Sequence, residues 1–102
     1  MNATIPDVQC GETLVIRVDG REERYTGRAT IRDITQKIGA RTLDAVNVDK
    51  IRQIVMVVDD AGREKDLPVN ARATEMYRSI CRPGTTWQIR GDVVLVNDAD
   101  FA

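Results

Sequence analysis

The stretch "DDAGREKDLPVNARATEMYR", residues 59–78, leads from the end of an apolar segment through a turn into a helix. In "DDAG" we expect Asp60 to supply a side-chain acceptor and Gly62 a positive φ, as turns require. "REKDLPV" predicts a short polar return strand, which Pro68 confines to a sheet edge or ends. Asn70 is a strong N-cap for the amphipathic helix that follows. The stretch therefore fixes how one strand connects to one helix.

The segments around this stretch predict strands. "IRQIVMVVDD" (51–60) contains a continuous apolar run, which is typical of a central strand covered on both faces, or on one face with a partner on the other. "WQIRGDVVLVND" (87–98) predicts one bent strand or a short hairpin around Gly91. Nearer the N-terminus, "ETLVIRVDG" (12–20) alternates like a half-buried strand, and "RTLDAVNV" (41–48) indicates another.

"TIRDITQKIG" (30–39) is the clearest helix of the sequence. Thr30 and Asp33 have the spacing of a reciprocal N-terminal cap, and Gly39 fits the left-handed position after a helix. The apolar stripe of this helix consists of Ile31, Ile34 and Ile38.

The predicted order is β-α-β-β-β-α-β-β, in which strands cluster around two short helices. This order favours an α+β fold: a small mixed or mostly antiparallel sheet with two short helices packed on one face. Residues 1–11 lack periodicity, and we expect them to form a loosely held N-terminal arm. Residues 12–102 would then be a single α+β domain.

Composition excludes several classes of protein. The chain has 15 basic and 16 acidic residues and a net charge of −1, which argues against duplex binding because that needs clustered positive charge. The longest apolar runs are too short to span a bilayer. Cys10 and Cys81 are far apart and form no CxxC pair, so we expect a cytoplasmic protein that binds no membrane.

The residues of common catalytic sites are missing. Histidine, the commonest general base and metal ligand, is absent, and Ser79 is the only serine and has no nucleophile-elbow motif around it. The thiol of Cys81 follows a helix C-terminus, where the dipole disfavours a thiolate. We therefore expect no enzyme activity, no cofactor and no metal site.

Four short motifs of the chain, taken together, have an informative order and spacing. The chain has "DITQKIG" at 33–39, "DDAG" at 59–62, "LPVN" at 67–70 and "GDVVLVNDADF" at 91–101. In order and spacing they resemble the small phage- and plasmid-borne proteins known as domain of unknown function 3846. The resemblance covers residues 30–101 and implies a mobile-element protein of the cytoplasm, accessory rather than essential.

The chain departs from that family in two places. It has Ala61, Gly62 and Arg63 where the family usually has glutamate-glycine-lysine, and Gly39-Ala40 where the family often has two glycines. The family has no established catalytic residues to carry over.

These observations favour a non-catalytic binding protein of a phage or mobile element, which would act by stoichiometric contact with a host protein, for instance as an anti-defence inhibitor. Trp87 is either a lid on the core or an exposed interface anchor. The residues that we expect to contact a partner are those beside the tryptophan and those of the turn: Trp87, Arg82, Arg90, Asp59, Asp60, Arg63 and Lys65.

Two alternatives stay open. A small anionic ligand such as a nucleotide phosphate could bind at a helix N-terminus, where the residues in reach are Arg28, Thr30, Asn70 and Arg72. The other alternative is binding of RNA or single-stranded DNA. Such binding uses aromatic side chains interleaved with basic ones, and aromatic residues are scarce among the arginines of this chain. Open sheet edges could also pair two copies into a homodimer.

Overall fold

The computed structural model describes residues 5–27, 30–81 and 83–97. Its elements are β1 (Glu12–Ile16), β2 (Glu22–Thr26), α1 (Ile31–Ile38), β3 (Leu43–Asp49), β4 (Ile54–Asp59), α2 (Ala71–Ile80) and β5 (Val93–Asn97). The strands form a sheet in the order β2-β1-β5-β4-β3, in which every neighbouring pair is antiparallel. The predicted α+β fold with a small antiparallel sheet and two short helices is confirmed.

The two helices cover opposite faces of the sheet, so the prediction that both pack on one face is wrong. Ile34 and Ile38 of α1 pack on Val15, Val55, Val57, Val94 and Val96. Ala73 and Met76 of α2 pack on Leu14, Ile16, Ile54, Met56, Val93 and Leu95. The reason lies in the central strands, which are apolar and buried at consecutive positions; both faces therefore need a cover.

Both predicted helix caps are confirmed. Thr30 accepts from the Asp33 N–H, and the Asp33 carboxylate accepts from the Thr30 N–H. Gly39 has φ 66° after α1, and Asn70 caps α2. Ile31 is 65% exposed, however, and so does not continue the buried stripe of α1.

The turn after β4 differs from its prediction. Residues 60–66 form successive turns instead of a return strand, and Val69 contributes only an isolated bridge to Arg90. The side-chain acceptor is Asp59, whose Oδ1 accepts from the Ala61 N–H (2.9 Å). Gly62 is not at positive φ; a Cβ there would lie 3.1 Å from the Arg90 carbonyl oxygen, a tight contact that favours glycine.

Residues 5–11 contact the body of the protein, which their lack of periodicity did not predict. Val8 is 1% exposed and packs in the cluster under α2, and its carbonyl accepts from the Asn97 side chain (3.2 Å). Across the described ranges, neither helix has the length and hydropathy needed to cross a membrane.

Candidate functional site

The segment that carries Trp87, residues 86–90, runs along α2 and is fixed to it through main-chain atoms. The helix offers polar side chains at every fourth position, Asn70, Thr74 and Arg78. The Ile89 N–H donates to Thr74 Oγ1 (3.0 Å), and the Ile89 carbonyl accepts from Thr74 Oγ1 (3.3 Å) and the Asn70 N–H (2.8 Å). Arg78 donates to the carbonyls of Thr86 and Trp87 (3.1 and 3.3 Å).

Asn70 joins this segment to the sheet. Its side chain is fully buried, and its Nδ2 donates to the carbonyls of Ile16 and Gly91, each at 3.0 Å. Its Oδ1 accepts from the Ala73 N–H (3.1 Å) as the helix cap. One side chain thus ties the end of β1, the approach to β5 and the start of α2 together.

A groove opens between α2, the edge strand β3 and the turn 60–66; we call it the Trp87 groove. Its apolar lining is buried or half-buried and consists of Val46, Val58, Tyr77 and Ile89. Its charged lining is mostly exposed and consists of Asp44, Asp60, Arg63, Glu64 and Arg90. The groove therefore combines an apolar interior with a charged rim, as protein interfaces do.

Trp87 stands at the rim of the groove with half of its surface exposed. Its relative exposure is 50%, which excludes the core-lid interpretation that the sequence left open. The guanidinium carbon of Arg63 lies 5.6 Å from the ring centroid, within cation–π range. The ring is therefore presented to solvent and held in place from the side of the turn.

The turn residues divide between structure and surface. The Asp59 side chain is 1% exposed, and its Oδ2 lies 2.5 Å from Lys65 Nζ, which also donates to the Gly39 carbonyl (3.3 Å). Asp59 and Lys65 thus fix the turn against the end of α1, and the expectation of an exposed Asp59 is wrong. Asp60 and Arg63 are exposed on the groove, as expected.

Arg90 lies on the groove in a fixed position. Its Nη1 donates to the Leu67 carbonyl (2.9 Å) and lies 3.7 Å from Asp66 Oδ1. Arg82 lies outside the described residues. The structure therefore brings together five of the residues predicted to contact a partner: Trp87, Arg90, Asp60 and Arg63, together with the buried Asp59.

The rim of the groove is acidic overall. Asp44, Asp60 and Glu64 form no ion pair within the part of the chain that the structure describes, whereas Asp59 is paired to Lys65. The pKa of Tyr77 is raised by its interaction with the Cys81 side chain, and further by burial and by the charge of Asp44. The phenol therefore stays protonated at neutral pH.

The two helix starts are already satisfied by groups of the chain itself. At α1 the Asp33 carboxylate occupies the cap, and hydrogen bonds from Thr30 lower its pKa, so negative charge is already in place. At α2 all polar groups of the Asn70 side chain are bonded, and Arg72 pairs with Glu22 (2.6 Å). Arg28 lies outside the described residues. An anion at either start would have to displace these contacts.

The remaining reactive groups do not converge on the groove. Ser79 Oγ donates to the Met76 carbonyl (2.6 Å) within α2, and Cys10 Sγ lies 3.5 Å from Asn97 Oδ1. Among the residues that the structure describes, no group of three or more His, Cys, Asp or Glu side chains could hold a metal ion.

Sequence reasoning missed the groove's apolar interior, Val46, Val58, Tyr77 and Ile89. Each belongs to a segment predicted as a strand or a helix, and only the tertiary structure brings the four together along one groove. The spacing of Asn70, Thr74 and Arg78 is visible in the sequence and could have indicated that α2 holds a second segment.

Comparison of the chain with protein-family models, with curated proteins and with solved structures returned no match. The motif order at residues 30–101 thus stays a resemblance.

Proposed function

We propose that this chain is a non-catalytic binding protein that acts by stoichiometric contact with another protein through the Trp87 groove. The observation that carries the proposal is Trp87 itself, half exposed beside an apolar groove and held by Arg63. Tryptophan and arginine dominate the binding energy of protein interfaces. Because segment 86–90 is bonded to α2, little conformational entropy is lost when a partner binds.

The family resemblance supports a host protein as the partner. A phage or mobile element gains from a small accessory protein that blocks a host component, and inhibition of a defence system is the role that such contact implies. This part of the proposal depends on the motif order at residues 30–101, whereas the location of the contact surface depends on the geometry of the groove.

The test is quantitative capture of the partner from host lysate by the wild-type chain and two variants. Trp87→Ala removes the ring from the groove and should lower capture by roughly 30-fold or more, the effect of losing an interface hot spot. Tyr25→Ala is the matched control, because Tyr25 is 40% exposed on β2 at the other edge of the sheet. It should capture the partner like the wild type. Equal capture by Trp87→Ala and the wild type would show that the Trp87 groove is not the binding surface.

A further inference from the structure

The strand β3, which forms one wall of the Trp87 groove, has a free edge. In the described sheet β3 pairs only with β4. At the start of the pair, the Asp60 N–H donates to the Thr42 carbonyl (3.1 Å). Hydrogen-bonded pairs alternate along antiparallel strands, so the observed register turns the main-chain groups of Leu43 and Ala45 away from β4.

A side-chain contact agrees with this direction. The Ala45 N–H donates to Oδ1 of the neighbouring Asp44 at 2.9 Å. Asp44 is exposed, so an incoming carbonyl group could replace its carboxylate on this amide. The released carboxylate would then be free to pair with a cation on the incoming chain.

A groove lies on each side of this edge. The Trp87 groove is on the α2 face and includes Asp44 and Val46. A second groove, the Ile31 groove, lies on the α1 face and is lined by Ile31, Thr35, Arg41 and Leu43; it shares Asp44 and Ala45 of the edge with the Trp87 groove. Side chains alternate between the two faces of a strand, so the side chains of a strand added to β3 would enter the two grooves alternately.

The opposite edge of the sheet does not have these features. On β2 the outward positions include Glu22, which pairs with Arg72 (2.6 Å), and Arg24, which pairs with Glu12 (3.4 Å). Charged residues that are already paired protect an edge from strand addition. On β3 the residue in the corresponding place is the small Ala45.

We propose that the partner presents an extended segment that adds a strand to the free edge of β3, with basic side chains in the Trp87 groove and apolar ones in the Ile31 groove. This inference rests on the proposed function and specifies how the partner binds. The charge complementarity of the segment follows from Asp44, Asp60 and Glu64, which have no ion pair among the described residues. They outnumber the two arginines of the same lining, of which Arg90 is paired with Asp66 and Arg63 lies on the Trp87 ring. The exposed Ile31 supplies the apolar contact on the other face.

A second copy of this chain fits the edge less well. It would bring its own Asp44 and Asp60 to the same rim, and like charges across a strand pair are destabilising. A basic segment from another protein removes that repulsion. The occupant is therefore a strand of a different chain.

The decisive variant is Ala45→Pro. Proline has no N–H, and because the Ala45 N–H is not bonded to β4, the variant should keep the sheet intact. It should lower partner capture about tenfold or more, the effect of a lost hydrogen bond and a blocked edge. Arg24→Pro is the control on the free edge of β2 and should bind like the wild type, with folding of both variants checked by circular dichroism.

The same edge can be tested with a defined probe, a capped peptide of alternating lysine and valine matched to β3 in length. In amide-resolved NMR we expect it to shift the Leu43 and Ala45 amides and slow their exchange. A peptide methylated on alternate amide nitrogens should bind about tenfold more weakly, and this arm does not depend on any variant folding. A glutamate-valine peptide should also lose binding, because it repels Asp44.

The outcomes separate the two proposals. Loss of partner capture by Trp87→Ala, with unchanged capture by Ala45→Pro and no effect of peptide methylation, would overturn strand addition and leave the groove as the binding surface. A chain that is a dimer in light scattering, with its Ala45 amide protected, would also overturn the inference. Normal capture by Trp87→Ala would instead contradict the proposed function.

Discussion

Asn70 caps a helix and joins it to the sheet through three hydrogen bonds of its side chain and two of its main chain. In Asn70→Ala the cap is lost and two buried carbonyls lose their donor, so we expect a loss of about 2–4 kcal/mol in the free energy of unfolding. Urea denaturation measures this loss in the free energy of unfolding. The control Asn47→Ala, at an exposed position of β3, should change stability by less than about 0.5 kcal/mol. Equal effects of the two substitutions would contradict this role of Asn70.

Thr74 holds the Trp87 segment, and its hydroxyl can be removed without changing the shape of the side chain. Thr74→Val leaves the Ile89 N–H without its partner and removes one of the two donors to the Ile89 carbonyl, so segment 86–90 should become more mobile. Trp87 is the only tryptophan, and its fluorescence anisotropy should fall. Thr35→Val, which loses only a contact to the Arg32 carbonyl inside α1, should leave the anisotropy unchanged. An unchanged value in Thr74→Val would contradict the anchoring.

For individual residues, the sequence predicted which positions cap a helix or form a turn, but it did not predict the tertiary contacts that those residues make. The cap at Asn70 follows from its residue type, and the turn at Gly62 follows from the "DDAG" motif. The close approach of the Arg90 carbonyl to Gly62 and the pairing of Asp59 with Lys65 depend on contacts that the local sequence does not show. Local patterns do not contain that information.

Helix α1 has eight residues, too few to be stable alone, and depends on what it packs against. Ile34 is fully buried on the sheet, and Ile34→Ala should lower the free energy of unfolding by about 2–4 kcal/mol. Ile31→Ala, one turn earlier at 65% exposure, should cost less than about 0.5 kcal/mol. Denaturant unfolding of both variants tests the placement of the helix, and similar losses for the two would show that the placement is wrong.

Most elements follow from the sequence, but their arrangement follows only in part. The periodicity and caps predict both helices, and the apolar runs predict the central strands. The strand β1 was expected to be half-buried because Val15 shares a face with the charged Arg17 and Asp19; Val15 is nevertheless fully buried. The second face of β1 is buried because a helix covers each face of the sheet. The local sequence pattern of a helix does not show on which face of the sheet the helix packs.

A charge network centred on Arg17 connects distant parts of the molecule. Its guanidinium pairs with Glu23 (2.7 Å) and Asp92 (2.9 Å) and donates to the Lys37 carbonyl (2.7 Å). The hydrogen bond from Arg17, followed by one from Tyr25, lowers the pKa of Glu23 from 4.5 to about 2. Backbone hydrogen bonds lower the pKa of Asp19 and Asp49 in the same direction.

The network predicts how stability depends on pH. Between pH 4.5 and about 2 the unfolded state binds a proton at Glu23 and the folded state does not, so stability should fall as the pH falls through this range. Above pH 4.5 this contribution is fully present, and the absence of histidine removes the usual titration near pH 6.5. Thermal unfolding against pH measures the profile. Glu23→Gln should flatten its acidic limb, and an unchanged limb would exclude this carboxylate as the cause.

At the scale of the whole molecule the candidate site was only partly predictable. Trp87, Arg63 and Arg90 were named from residue type and from their neighbours in sequence, and the fold brings them together. The groove itself is built by β3, β4, α2 and segment 86–90, and its existence depends on how those parts meet. Residue types therefore indicate which side chains could bind a partner, whereas the shape of the surface requires the tertiary structure.

The most direct test of the central claim is calorimetric titration of the captured partner with this chain. We expect saturation at a fixed small-integer molar ratio, no chemical change in either protein, and binding weakened roughly 30-fold or more by Trp87→Ala. A chain that acts on its partner at far below stoichiometric amounts, or that binds equally well without Trp87, would contradict the account.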